Sequence, residues 1–299
     1  MAGIWKTHLG GHDRSQASLK WLSSNYVGGT IEFSDCNDSE DCDNLRQSPG
    51  NISVNAAYIE KATPANKKYK YPIVLMHGGG HNGQVYMTTP DGREGWFHSF
   101  IRRGFEVYVV DGSNRGRASW DPVKRIQTTV GLIDASEMEP VDTYAEQSSW
   151  TAFRWGREYG VLYPNSQFPI DALNQYLPQL NPAYRDDEAN VLLAANISAL
   201  IDKIGPCILL GWSTGSRNVM EAANTPARAA QVKAVIGVEG FTANSGGDTD
   251  LVTNIPQLTV KGDNRDPAAH HAWSALINGL GGDSTTGRSD RGLSDRGRG

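Results

Sequence analysis

Long apolar runs are missing from this chain. No stretch approaches the roughly 18 consecutive apolar residues of a membrane-spanning helix, which excludes a helical integral membrane protein. Cysteine is nearly absent, and three among 299 residues cannot build a disulfide framework. Cys36 and Cys42 stand close enough to bridge a short loop in an oxidising compartment, with two free thiols as the plainer alternative. Cys207, within PCILLGW, reads as a core residue. An excess of basic charge is lacking too: 28 basic residues face 33 acidic ones, a formal charge of −5, which argues against nucleic acid as the partner. The N-terminal MAGIWKTHLGGHDRSQ has no apolar stretch behind its first charges and does not read as a signal peptide, so cytosolic residence is the default expectation. Asn37, Asn51 and Asn196 each open an N-x-S pattern, of consequence only in a secreted protein.

What is present has the profile of a loop-rich α/β enzyme: 38% apolar, 20% charged, with 33 glycines and 14 prolines. The length suits one large α/β domain or two small ones. Short apolar runs bounded by turn residues predict buried strands of a mostly parallel sheet at Tyr71 to Met76, Phe105 to Val110, Cys207 to Leu210, Val232 to Val238 and Leu258 to Val260. Ile52 to Ile59 alternates, which predicts an antiparallel strand at the sheet edge. The clearest helix spans about Glu188 to Ile204, with Val191, Leu192, Ala195, Leu200 and Ile201 as its apolar positions and Gly205-Pro206 as its stop. Strands alternating with helices place the chain in the α/β class. Between about 120 and 187 this rhythm fails and aromatic residues crowd in, from Trp150 to Tyr176, as in a cap over a ligand cleft. The stretch 281–299, which repeats Ser-Asp-Arg-Gly, is expected to be a disordered tail.

One motif carries the chemistry. Gly211-Trp212-Ser213-Thr214-Gly215 follows a strand and precedes a helix, as a nucleophile elbow does. The turn exposes the Ser213 hydroxyl, and the helix behind it directs N–H groups at a developing oxyanion. His77-Gly78-Gly79-Gly80 after YPIVLM supplies the second set of oxyanion donors, so Gly79, Gly80 and Thr214 form the expected hole, with His77 orienting the loop. Glu239, directly after VIGV, is the expected acid and Asp263 the alternative. No histidine is well placed as base: His270 and His271 fall in a helical pattern, and His81 lies in the glycine loop, out of the usual order. Gly78-x-Gly80-x-x-Gly83, with Asp111 ending the next strand, also fits a dinucleotide fingerprint. That reading fails on Pro90, Gly92 and Gly95, which interrupt the helix it needs. Metal patterns are weak: His77 and His81 are separated by glycines, and the loop opening at Asp35 lacks the glycine and glutamate of a calcium site.

Taken together these residues resemble the α/β-hydrolase superfamily, and within it a branch of bacterial and fungal serine esterases. The closer resemblance rests on Tyr26-Val-Gly-Gly29, PIVLMHGGGHNG, TTPDGREGW from Thr88 to Trp96, VYVVDGSNRGR and GWSTGS, and spans about residues 25–280. It implies an α/β-hydrolase fold with an eight-stranded, mostly parallel sheet, no cofactor, and hydrolysis of a small-molecule ester through an acyl-enzyme. It also implies an acid directly after the strand following the elbow strand, which falls on Glu239, and oxyanion positions at Gly79 and Gly80. After the helix containing Trp273 the chain departs from the pattern, where a further strand and a loop with the catalytic histidine should follow. The last strand is therefore expected to be missing, and the base with it. Two functions remain open: a serine ester hydrolase, or a catalytically silent relative that binds a small ligand under its aromatic cap.

Overall fold

The computed structural model describes residues 17–34, 49–184, 187–240, 254–262 and 284–288. Eight strands make one sheet: β1 (Leu19–Ser34), β2 (Gly50–Pro64), β3 (Ile73–Met76), β4 (Val107–Asp111), β5 (Cys207–Trp212), β6 (Val232–Val238), β7 (Gln257–Lys261) and β8 (Ser284–Arg288). Across the sheet they run β1-β2-β4-β3-β5-β6-β7-β8. β2 is antiparallel to both β1 and β4, and every pairing from β4 to β8 is parallel. The mostly parallel, eight-stranded α/β sheet that the resemblance implies is thus observed.

Side chains on a strand alternate between faces, and the core divides accordingly. Ile73, Leu75, Val107 and Val109 face Phe97 and Ile101 of helix α1 (Trp96–Arg103). Val74, Met76, Val110 and Leu209 face the other layer, built by α2 (Asp187–Ile204) and α3 (Thr214–Ala223). β3 and β4 are buried along their whole length, which explains their unbroken apolar runs. α1 stops at Gly104, where φ is 94° and the N–H caps the Phe100 and Ile101 carbonyls.

Several expectations need correction. The buried stripe of α2 is Leu193, Ala194, Ile197, Leu200 and Ile201, whereas Val191 and Ala195 face solvent. Positions 193, 197, 200 and 201 keep one helical face; 191 and 195 lie about 135° and about 175° from its centre at about 100° per residue. Ile52 to Ile59 does form an antiparallel strand, but it lies second from the edge. The edge is β1, whose exposed Trp21, Ile31 and Phe33 give it no one-sided apolar pattern to find. The last strand is not missing: Ser284–Arg288 pairs in parallel with Gln257–Lys261, so part of the expected tail is ordered as β8. Its register rests on main-chain bonds, which a sequence poor in large apolar residues does not advertise. Cys36, Cys42, Asp263, His270 and His271 lie outside the described residues, as does Asn37.

Residues 120–184 hold short pieces around their own aromatic core. Trp150, Trp155 and Tyr176 are buried, with Phe153 and Phe168 packed against them. The Trp155 and Phe168 rings stack at 4.2 Å, and Tyr176 meets Trp155 edge-on at 5.1 Å.

Candidate active site

β5 delivers Ser213 to the carboxyl edge of the sheet in a backbone conformation that few side-chain-bearing residues adopt, with φ 53° and ψ −124°. Glycines make the turn feasible. A β-carbon on Gly211 would collide with the backbone of Gly215, and one on Gly215 with the carbonyls of Met76 and His77. The Ser213 N–H donates to the Val238 carbonyl at 2.8 Å, which carries the β5–β6 ladder one residue into the strained turn. Ser213 is half-buried and Thr214, the first residue of α3, is exposed.

Glu239 stands at the equivalent level of the neighbouring strand, because Trp212 and Val238 are register partners. It too has positive φ, 55°, and its N–H donates to the Val260 carbonyl at 2.7 Å. The carboxylate lies against the α-carbon of Gly262, where no β-carbon fits, and Arg154 approaches it at 3.9 Å. Gly240, next in line, has no room for a side chain either, since the Ser213 carbonyl and the Ser216 hydroxyl fill that space. Sequence reasoning missed Arg154 and Gly240; no local motif marks either.

The glycine loop after β3 rests on this elbow. A β-carbon on Gly78 would come within 3.1 Å of that of Ser213, and one on Gly79 within 3.4 Å of the Thr214 hydroxyl. Two histidines hold the loop from behind. His77 Nδ1 lies 2.8 Å from the Gly78 carbonyl and its Nε2 accepts the Gly112 N–H at 3.1 Å. His81 Nδ1 lies 2.8 Å from the Gly79 carbonyl and its Nε2 lies 2.7 Å from the Tyr176 hydroxyl. A carbonyl can only accept, so both rings carry their proton on Nδ1. Burial lowers both pKa values to about 4, so both rings are neutral at pH 7. Neither ring has a nitrogen left to take a proton from Ser213. His98, the other described histidine, is engaged through Nδ1 with the Met87 carbonyl at 3.0 Å.

Among the described residues, the N–H groups of Gly79, Gly80 and Thr214 donate to no protein acceptor. Asp111 is fully committed to structure: it accepts from Gly83 N–H at 2.7 Å and from Arg117 N–H and Nε at 3.0 and 2.8 Å. A ribose-binding role for Asp111, and with it the dinucleotide reading, has no free acceptor to rest on. Cys207 is buried and its thiol is pushed up to about 12, in keeping with a core residue.

Beside the elbow opens a cavity of about 390 Å³. The Thr88–Trp96 segment forms one wall, Phe153, Trp155, Phe168 and Tyr176 another, and Trp212 and Val238 the floor. A second cavity, of about 150 Å³, lies against Gly78, Gly79, Gly80 and Thr214, with Arg115 and Tyr144 opposite.

No family model matches the chain. The solved structure of a bacterial esterase superposes with a TM-score of 0.81 over 92% of this chain and 88% of its own, at 27% identity. A fungal protein (strain ATCC 74256) named as a probable secreted lipase is 30% identical over 166 residues, 53% of this chain and 44% of the relative. The chain has the α/β-hydrolase fold and is a relative of esterases and lipases. It matches less than half the length of that lipase. Because this relative is secreted, cytosolic residence, the default taken from the N-terminal residues, does not stand. No helix among the described residues is long and apolar enough to cross a membrane. Asn196 of the N-x-S pattern is buried, and its side chain donates to the Asn55 carbonyl at 3.0 Å, so the folded chain does not present it as a glycosylation acceptor.

Proposed function

We propose that the protein hydrolyses carboxylic esters of small molecules through an acyl-enzyme on Ser213. The observation that carries this reading is the strained Ser213 turn, with the glycine loop packed on it and three N–H groups of that loop and of Thr214 that have no acceptor among the described residues. Buried amides such as that of Gly80 are seldom left unpaired, and donors kept free beside the elbow suit a charge that develops only during reaction. In this reading the Ser213 oxygen attacks the ester carbonyl as its proton passes to a base, which returns it to the departing alcohol. Gly79, Gly80 and Thr214 stabilise the tetrahedral oxyanion, and the alcohol leaves to give the acyl-enzyme that water then clears. Thr214 opens α3, where N–H groups lack intrahelical acceptors and the helix dipole favours negative charge. Glu239 orients the base and stabilises its protonated form; residues 120–184 act as a cap, and the aromatic cavity beside Trp212 receives the apolar part of the ester.

A second reading, a silent ligand-binding relative, draws support from the described histidines, none of which is placed to act as a base for Ser213. An active-site fluorophosphonate and a short-chain nitrophenyl ester separate the two. Stoichiometric labelling and turnover, both abolished in Ser213→Ala, support the esterase; a wild-type chain that does neither supports the silent relative.

A further inference from the structure

We propose that His81 is a positioning residue that ties the Gly80 amide of the oxyanion loop to the aromatic insertion through the Tyr176 hydroxyl. The inference rests on the ester-hydrolase reading, and its argument is geometric. In a trans peptide the carbonyl of one residue and the N–H of the next point in opposite directions, and the chain contains no cis peptide among its described residues. Holding the Gly79 carbonyl at 2.8 Å from His81 Nδ1 therefore fixes the direction of the Gly80 N–H. His77 does the same one peptide earlier, through the Gly78 carbonyl and for the Gly79 N–H.

The two clamps differ in what stands behind them. His77 is backed by the Gly112 N–H, a main-chain group of the sheet domain. His81 is backed by a side chain 95 residues away, Tyr176, which belongs to the aromatic insertion and lines the large cavity. Because the Gly79 carbonyl takes the Nδ1 proton, Nε2 can only accept, and the Tyr176 hydroxyl must donate. The ring is further packed edge-on by Phe153 at 5.1 Å and Trp212 at 4.8 Å, both of which also line that cavity. Gly80 has its own tie to the same insertion: its carbonyl accepts the Asn181 N–H at 2.7 Å. A substrate group that orders the cavity walls thereby orders the amide that stabilises the oxyanion, and an empty or distorted insertion loosens it. This is a link from apolar recognition to rate, and it acts on kcat rather than on ground-state binding.

The test compares Tyr176→Phe, His81→Phe and His81→Asn by steady-state ester hydrolysis, fluorophosphonate labelling rate and thermal midpoint. Losing one oxyanion donor lowers kcat by about 10²–10³-fold in a well-studied hydrolase, which sets the ceiling for His81→Phe. Tyr176→Phe, which keeps the ring and loses only the hydroxyl, is expected to lower kcat about tenfold with little change in KM, a part of that ceiling. His81→Asn is expected to recover activity over His81→Phe, since its amide can still donate to the Gly79 carbonyl. Folded variants that keep wild-type kcat overturn the proposal, as does a fall in thermal midpoint alone. A wild-type chain that is neither labelled nor active removes the hydrolase reading instead. The clamp is then judged by long-range nitrogen–proton NMR of the His81 ring. An Nδ1–H form whose Nε2 and Gly80 amide resonances both shift in Tyr176→Phe supports it, and an Nε2–H ring or an unmoved Gly80 amide overturns it.

Discussion

Replacing Asp111 tests how the carboxyl edge of the sheet holds the glycine loop. Asp111 is 1% exposed and its carboxylate receives four hydrogen bonds, one from the buried Gly83 N–H and three from Arg117. Their removal does not weigh equally. The Gly83 N–H would be left buried without an acceptor, at a cost of about 1–3 kcal/mol. The Arg117 side chain is 43% exposed and keeps Glu60 and the Tyr58 ring as partners, so its loss adds about 1 kcal/mol. Asp111→Ala should therefore lose about 3 kcal/mol, the low end for breaking a buried charged pair. For a chain of this size that corresponds to a fall in thermal midpoint of roughly 6 °C. Asp111→Asn retains an oxygen for the Gly83 N–H and should lose about half as much, the share owed to Arg117 and to the lost charge. Urea unfolding followed by tryptophan fluorescence, with calorimetry beside it, measures both. An Asp111→Ala protein as stable as wild type, or an Asn variant as unstable as the Ala variant, would refute the assignment of the Gly83 contact as the main one.

Three further outcomes follow from the same structure. His77 and His81 are neutral and buried, with folded pKa values near 4, below the ordinary 6.5. The unfolded chain then binds more protons between these values, so their contribution is fully present above about pH 6.5 and is lost as pH falls through about 4. Urea titrations across that window should show stability falling by about 1.4 kcal/mol per pH unit for His81, with His77 adding in the same direction; a flat profile contradicts the buried neutral rings. Cys207, held up to about 12, should resist iodoacetamide at pH 8 in the folded protein and react once it is unfolded. Gly240→Ala would press a methyl group onto the Ser213 carbonyl and Ser216 hydroxyl, and should cost about 1–3 kcal/mol while sharply reducing fluorophosphonate labelling; labelling at the wild-type rate would show that the elbow tolerates displacement.

The parts of the site that were legible in the sequence are those in which a short run contains its own structural reason. β5, Ser213 and α3 form one continuous strand–turn–helix, and each glycine of the motif answers a steric contact within a few residues or on the adjacent strand. Buried strands announced themselves because both faces are apolar. What stayed hidden depends on distant partners or on main-chain bonding. Tyr176 meets His81 across 95 residues, with nothing near either to mark the pair. β1 and β8 are held by ladder bonds to β2 and β7 while lacking a one-sided apolar pattern, so periodicity has nothing to read. The phase of α2 was misjudged because Val191 and Ala195 are apolar and yet exposed, and a surface tolerates scattered apolar residues.

Backbone strain gives the last link between fold and site. Five described non-glycine residues have positive φ, and two of them are asparagines, which adopt it at modest cost. The other three are Arg154, Ser213 and Glu239, and they gather at one place: Arg154 reaches Glu239, and Glu239 sits beside Ser213 at the ends of paired strands. Each such residue costs about 1–3 kcal/mol and persists only where its surroundings over-determine it. For Ser213 and Glu239 the restraint is visible, since each donates its N–H to the carbonyl that ends or nearly ends the neighbouring strand. The parallel ladder thus runs one residue past β5 and β6 and forces both side chains outward at the same level. A sheet that spends stability to present a hydroxyl and a carboxylate side by side is organised around those two groups, and that concentration of strain is a physical reason, independent of the motif, to look for the chemistry there.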